Sequence, residues 1–195
     1  MVHHLPFCLC GEDKVTEVLE TERLLLRAPE AADLPALVRL ISNFAVAKNL
    51  ATVPHPYTDH DGFTWLADMV AKRRLREDYP FSILRKVDGM YLGCCAVHPA
   101  RGFEFGYWLG EPFWGKGFAT EAARRVARFA FEDFATEKLA AGYMTDNPAS
   151  GRVLAKLGFL YTHDENAPCL ARGKDVPRHR LELTRERFEA VSVAS

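Results

Sequence analysis

Beyond residue 20 the hydrophobic positions fall on either helical or alternating spacing, and the switch between the two divides the chain into elements. Residues 1–20 show little of either period and read as an N-terminal extension, leaving one domain over 21–190. Arg23 to Arg27 (RLLLR) predicts a first strand, ended by Ala28-Pro29. Asp33 before Leu34-Pro35 has the form of an N-cap followed by an early proline, and Leu34, Leu37, Val38 and Ile41 then recur at helical spacing. Val53-Pro54-His55-Pro56 interrupts the chain. Thr58 and Asp61 carry the spacing of a capping box, opening a helix with Phe63, Leu66, Met69 and Val70 on one predicted apolar face.

The middle of the chain turns to strands. Phe81 to Arg85 and Met90 to Val97 flank an Asp88-Gly89 turn, and Phe103 to Leu109 follows a turn at Arg101-Gly102. A long helix, Phe118 to Phe134, places Ala119, Ala122, Ala123, Val126, Ala130 and Phe134 on one face and Arg124, Arg125 and Arg128 outside it. Leu139 to Met144 reads as a strand, Ser150 to Leu157 as a short helix stopped by Gly158, and Leu160 to Thr162 and His179 to Thr184 as the last strands. This order predicts an α+β class with a mixed sheet.

Composition narrows the function classes. The 195 residues suit one soluble domain, with 48% hydrophobic and 26% charged residues. Lys+Arg is 25 against Asp+Glu 26, a net charge of -1, which supplies no global field for nucleic acid or an anionic membrane. No apolar run approaches the roughly 18 residues of a membrane span, and Met1 to Cys10 lacks the basic flank of a signal peptide. Five cysteines, Cys8, Cys10, Cys94, Cys95 and Cys169, make a poor disulfide framework and suit a reducing cytoplasm. Cys94 and Cys95 lie in an apolar run and read as core thiols, Cys169 stands in a loop-like segment, and no metal-ligand spacing is present.

The segment with chemistry in it is Trp114-Gly115-Lys116-Gly117-Phe118-Ala119-Thr120-Glu121, between a strand and a long helix. Gly115 and Gly117 let the backbone approach a ligand, and the first-turn N–H groups sit at the positive end of the helix dipole. That arrangement suits a phosphate or pyrophosphate. Neither a Walker A loop nor a dinucleotide fingerprint is completed here, and the same glycines also suit a closely packed helix start with no ligand.

Glu104-Phe105-Gly106-Tyr107-Trp108-Leu109 followed by Trp114 to Ala122 resembles the GNAT superfamily of N-acetyltransferases, and most of all its RimJ/RimL branch. Asn147-Pro148-Ala149-Ser150 with Arg152 to Phe159 resembles that branch's second signature, and Thr21 to Arg27 and Leu183 to Glu186 match in style. The resemblance covers roughly residues 20–190. It implies a mixed, mostly antiparallel sheet of about six or seven strands flanked by helices. It also implies acetyl-CoA as co-substrate, with pyrophosphate on the N–H groups of Gly115, Lys116, Gly117, Phe118, Ala119 and Thr120. Trp114 stands where the superfamily often has Gln or Arg, and aromatic residues there are familiar in this branch.

By the same resemblance the pantetheine runs along Tyr107-Trp108-Leu109, where the strand splays from Leu139 to Met144, and an N–H near Leu109 polarises the thioester carbonyl. Ser150 is the implied general acid, and its residue type equally suits a helix N-cap. Asn147 is either a turn residue or a pantetheine partner. Arg152 and Lys156 suit either CoA phosphates or a solvated helix face. Glu104 is the candidate base, directly or through water; Asp164, Glu165 and His98 are rivals. The acceptor amine falls between Phe44 to Tyr57, with Phe44, His55 and Tyr57, and a late loop from Asp164 to Arg178 that mixes acidic with basic residues. This mixed rim suits a protein or peptide N-terminus, an amino acid or another small amine, acetylated by a monomer or homodimer. A non-catalytic acyl-CoA-binding module and a nucleotide-binding protein are the alternatives.

Overall fold

A computed structural model of the chain describes residues 18–193. Among these, eight strands form one sheet: β1 (Val18–Glu20), β2 (Leu24–Arg27), β3 (Tyr79–Arg85), β4 (Tyr91–His98), β5 (Glu104–Leu109), β6 (Lys138–Met144), β7 (Leu160–Cys169) and β8 (Lys174–Thr184). Their order is β1-β2-β3-β4-β5-β6-β8-β7. Neighbours run antiparallel except β5 and β6, which run parallel. The helices are α1 (Leu34–Ile41), α2 (Phe44–Ala47), α3 (Asp59–Arg74), α4 (Phe118–Asp133), α5 (Pro148–Leu157) and α6 (Arg185–Val193).

The sheet is wider than expected from the sequence. Val18–Glu20, left in the extension by the sequence pattern, pairs with β2 and buries only Leu19, too little for a period to show. The stretch from Asp164 to Arg178, expected as a loop, is the outer half of the β7–β8 hairpin. Most of β7 is exposed on both faces, so it carries no hydrophobic alternation to read. Its Pro168 lies on an edge strand, and Pro177 falls where β8 outruns β6, so neither proline removes a ladder bond between central strands. Cys169 ends β7 and is buried.

Helix α4 lies on one face of the sheet. Ala122, Ala123, Ala127 and Ala130 let it approach closely, and Val126 and Phe129 pack with Phe81, Ile83, Leu92 and Phe105. Cys94 and Cys95 are core thiols as expected, and burial pushes the Cys94 thiol up to about 12. The other face carries α1 to α3, with Leu37, Leu40, Ile41 and Val46 packed on Leu84, Tyr91 and Trp108. The expected capping box forms: Thr58 Oγ1 accepts from the Asp61 N–H and Asp61 accepts from the Thr58 N–H.

Two local expectations are corrected. In α3, Phe63 and Val70 are 61% and 45% exposed, whereas Gly62 and Met69 are buried. Gly62 sits against Val38 and Leu34, so α3 approaches α1 through its missing side chain and the buried stripe rotates away from Phe63. Asp33 does not cap α1 with its side chain. Its carboxylate is buried and accepts from Arg27 at 2.8 and 2.9 Å, from Ser82 Oγ at 2.8 Å and from the Glu30 N–H at 3.0 Å. Burial pushes the Asp33 carboxyl up, but the bonds from Arg27, Glu30 and Ser82 outweigh it and hold it below its ordinary value.

Asp33→Asn strips the charge and leaves Arg27 only the more exposed Glu30, 3.4 Å away, as counterion, an expected loss of about 2 kcal/mol. A depressed carboxyl stabilises the fold above its unfolded pKa and loses that contribution as pH falls through the folded one. The stability gap between wild type and Asp33→Asn is therefore wide at pH 5 and narrows toward pH 2.5, about the range below the ordinary aspartate value. Thermal unfolding across that range reads it.

Candidate active site

The chain leaves β5 through a 3-10 turn, Glu111–Phe113, and enters α4 through Trp114 to Gly117. Gly115 and Gly117 both adopt left-handed backbone, at φ 72° and 82°, which other residues resist. Gly117 is the N-cap and offers no side chain, and the first helical bond runs from Glu121 N–H to Gly117 O. The N–H groups of Phe118, Ala119 and Thr120 therefore stand at the helix start without a side-chain acceptor, beside an exposed Gly115-Lys116-Gly117 loop. Lys116 Nζ folds back onto Pro112 O at 2.8 Å. Trp114 donates its indole N–H to Leu109 O at 2.8 Å and so ties the loop to the end of β5.

Arg23, at the start of β2, braces this loop and was not singled out from the sequence. It donates to Lys116 O at 3.1 Å, pairs with Glu121 at 2.6 Å and lies over the Phe118 ring at 4.5 Å. Thr21 adds a 2.5 Å bond to Glu121. Burial would raise the Glu121 carboxyl, but bonds from Thr21 and Arg23 hold it below its usual value. Its negative charge, next in the chain to Thr120, is thus matched by Arg23. The only trace in the sequence is the Thr21-Glu22-Arg23 opening, which has no periodic pattern.

Strands β5 and β6 share two registered pairs, Glu104 with Ala140 and Phe105 with Ala141. Past them β5 continues paired to β4 as far as Leu109, and β6 stays paired to β8 as far as Met144. The two strands therefore separate, and the β6-facing backbone groups from Gly106 to Leu109 have no strand partner. Gly106, at the apex, has open space where a Cβ would stand. Trp108 packs near Tyr91 on the α1–α3 face, 6.2 Å between ring centroids, and Leu109 is buried.

Helix α5 begins over this opening. Asn147, not Ser150, is its N-cap: the Asn147 side chain accepts from the Ser150 N–H at 3.3 Å, and Pro148 takes the first helical position. The helix starts two residues earlier than its hydrophobic spacing indicates because Pro148 and Ala149 carry no periodic signal. The Ser150 hydroxyl is thereby released from capping and lies 2.8 Å from the Tyr107 hydroxyl, which also donates to Ser150 O at 3.1 Å. Burial pushes the Tyr107 phenol well above its ordinary value, and the bond to Ser150 only partly opposes it, so the phenol stays protonated. A Cβ on Gly151 would collide with the Tyr143 ring at 2.6 Å, so the start of α5 rests across Tyr107 of β5 and Tyr143 of β6.

The other expected residues are dispersed. Glu104 lies on the face opposite Phe105, as alternation requires, and both its oxygens are held by Arg180 at 2.6 Å. Asp164 meets His179 Nδ1 at 2.5 Å, Glu165 pairs with Arg178, and His98 Nδ1 lies 2.6 Å from Asp78. Arg152 and Lys156 are exposed on α5. Phe44 is half exposed against His55, but Tyr57, expected on the acceptor rim, is in the core, where burial pushes its phenol up to about 12. Cys8 and Cys10 lie outside the described residues. Among the described residues no cluster of three His, Cys, Asp or Glu is placed to hold a metal, and no helix is long and apolar enough to cross a membrane.

Comparison with known proteins agrees with this geometry. A Bacillus licheniformis protein named as the uncharacterized N-acetyltransferase p20 is 31% identical over 148 residues, covering 73% of this chain and 82% of that one. Mycobacterium smegmatis RimJ, solved in complex with CoA-disulfide, superposes with a TM-score of 0.75 at 18% identity over 88% of each chain. The ribosomal-protein-S5-alanine acetyltransferase of Vibrio fischeri gives 0.75 at 18% identity, over 88% of this chain and 98% of that one. Residues 23–160 match the acetyltransferase (GNAT) domain, and together with the glycine loop, the splayed strands and the sequence relative this shows that the chain belongs to the GNAT acetyltransferase family.

Proposed function

We propose that the protein is an acetyl-CoA-dependent N-acetyltransferase that passes the acetyl group by direct attack of a primary amine on the thioester. The observation that carries this is the parting of β5 from β6 directly beside the glycine-capped start of α4. The N–H groups from Gly115 to Thr120 take the pyrophosphate, with the Thr120 hydroxyl as a further donor. The β6-facing backbone groups from Gly106 to the Leu109 N–H, which have no strand partner, take the amides of the pantetheine, as a missing strand would, and an N–H near Leu109 polarises the thioester carbonyl. Asn147 caps α5 and presents its remaining polar atoms to the same arm.

Three proton and charge tasks remain: removing a proton from the ammonium, holding the oxyanion and returning a proton to the departing thiolate. Ser150 donates to the thiolate, and the buried Tyr107 hydroxyl, bonded to the Ser150 carbonyl, holds it in place. Glu104 takes the amine proton through water. Arg180 occupies two of its roughly four lone-pair sites, and open space lies over Gly106, two residues away on the same face. Glu104→Gln is expected to lower kcat/KM and shift its pH profile; a profile of unchanged shape assigns Glu104 to holding Arg180 alone.

The acceptor is an α-amine of a protein or peptide, an amino acid or another small amine. The structural neighbours named for ribosomal-protein acetylation support the first of these, and an α-amine near 7.7–8.0 needs less help from a base than a lysine near 10.4, both approximate values. Thiol release on an amine panel, with isotopically labelled acetyl-CoA and mass spectrometry of the products, tests the reading. Tight acetyl-CoA binding with no turnover on any amine would reject it in favour of a binding module.

A further inference from the structure

Helix α2 and the residues just after it form a strap bonded at its start to the turn that follows β5 and at its end to the β7–β8 hairpin turn. At its start, Asn43 Nδ2 donates to Glu111 Oε2 at 2.5 Å, in the turn that leaves β5. At its end it meets the β7–β8 hairpin turn through several bonds, Cys169 Sγ reaching Leu50 O at 3.6 Å among them. Leu170 N–H donates to Ala51 O at 3.1 Å, Cys169 Sγ to Lys48 O at 3.4 Å, and Arg172 Nε to Lys48 O at 2.8 Å. Arg172 then turns its other two nitrogens onto Asp146, at 2.8 and 3.0 Å. Asp146 directly precedes Asn147, the cap of α5, in the turn that leaves β6.

One guanidinium therefore joins three elements: the strap, the hairpin and the turn that carries Asn147 and Ser150. The Arg172 side chain is only 16% exposed, and its planar fork is matched on both edges, by a carboxylate and by a carbonyl. Asp146 is held below the usual aspartate range, first by its hydrogen bond from Arg172. Without Arg172 the strap keeps only the Leu170 amide bond and weak thiol contacts at this end.

We propose that Arg172 is a positioning residue that fixes the distance between the α2 strap and the start of α5, and with it the width of the opening through which the acceptor amine reaches the thioester. The proposal rests on the acetyl-transfer reading above and deepens it on the acceptor side. The pyrophosphate site proposed at Gly115 to Thr120 shares no bond with this latch, so most of the cofactor's binding does not depend on it. Acceptor recognition does.

The test uses the full chain with Arg172→Met, Arg172→Lys and Asp146→Ala. Amide hydrogen exchange of residues 44–51 is expected to speed up in Arg172→Met without added ligand, while exchange in α4 stays as in wild type. With an amine that the wild type acetylates, KM for that amine rises about tenfold, the loss of a charge-assisted pair, with kcat and acetyl-CoA affinity within about threefold. Arg172→Lys does not rescue, because an ammonium cannot fork between Asp146 and Lys48 O. The double variant Arg172→Met/Asp146→Ala is no worse than Arg172→Met alone. Unchanged exchange in residues 44–51, or an equal loss of acetyl-CoA affinity, overturns the latch. A wild type that binds acetyl-CoA and acetylates no amine fails differently, sinking the transferase reading while the exchange result still decides whether Arg172 holds the strap.

Discussion

Ser150→Ala is expected to lower kcat by about two orders of magnitude, with acetyl-CoA affinity within about twofold of wild type. A serine at a helix start usually invites the objection that its loss weakens the helix. Here Asn147 already caps α5 and keeps its bond to the residue-150 N–H, a backbone group that alanine retains. What is lost is the hydroxyl 2.8 Å from Tyr107, the proposed donor to the departing thiolate. Tyr107→Phe should fall in the same direction by a smaller factor, and the pair should be far from additive, because Tyr107 acts through Ser150. Steady-state rates alongside calorimetric binding of acetyl-CoA separate the two quantities. An unchanged kcat in Ser150→Ala would reduce Ser150 to a structural residue.

Gly117→Trp is expected to raise the Kd for acetyl-CoA by at least about 100-fold while the protein remains folded. Position 117 sits at φ 82°, where any residue with a Cβ is strained by roughly 1–2 kcal/mol. A Cβ there would lie 3.2 Å from the end of the Arg23 side chain, which is mobile enough to give way. The fold therefore pays little, because the loop is exposed and touches no core residue at this point. The ligand loses far more: the indole covers the amides of Phe118 to Thr120 and displaces the bridge between Arg23 and Lys116 O. Circular dichroism and thermal unfolding confirm a folded variant, and isothermal titration gives the affinity. Wild-type affinity in a folded Gly117→Trp protein would remove the pyrophosphate from this loop.

Much of this was legible along the chain. The Thr58–Asp61 box, the alanine face of α4, the glycine stop at Gly158 and the strand–glycine–helix segment are local, each written in residues within a few positions of one another. Two features of the fold hide an element's buried face from the local pattern. Where an element packs through a glycine, as α3 does at Gly62, the apolar residues nearby misreport which face is buried. Where a strand lies at a sheet edge with both faces wet, as in β7, there is no alternation to detect.

The sequence by itself determined most of the elements, the glycine-rich bend before α4 and the acetyltransferase family, because caps, turns and amphipathic periods depend on neighbours in the chain. Tertiary structure alone decided what the polar residues do. Glu104 and Arg180 are 76 positions apart, Tyr107 and Ser150 are 43 apart, and Arg172 meets Lys48 across 124. Those meetings follow from strand order and from the point at which β5 and β6 part. A side chain's proton affinity and reach depend on which groups surround it in space, and no local pattern records that.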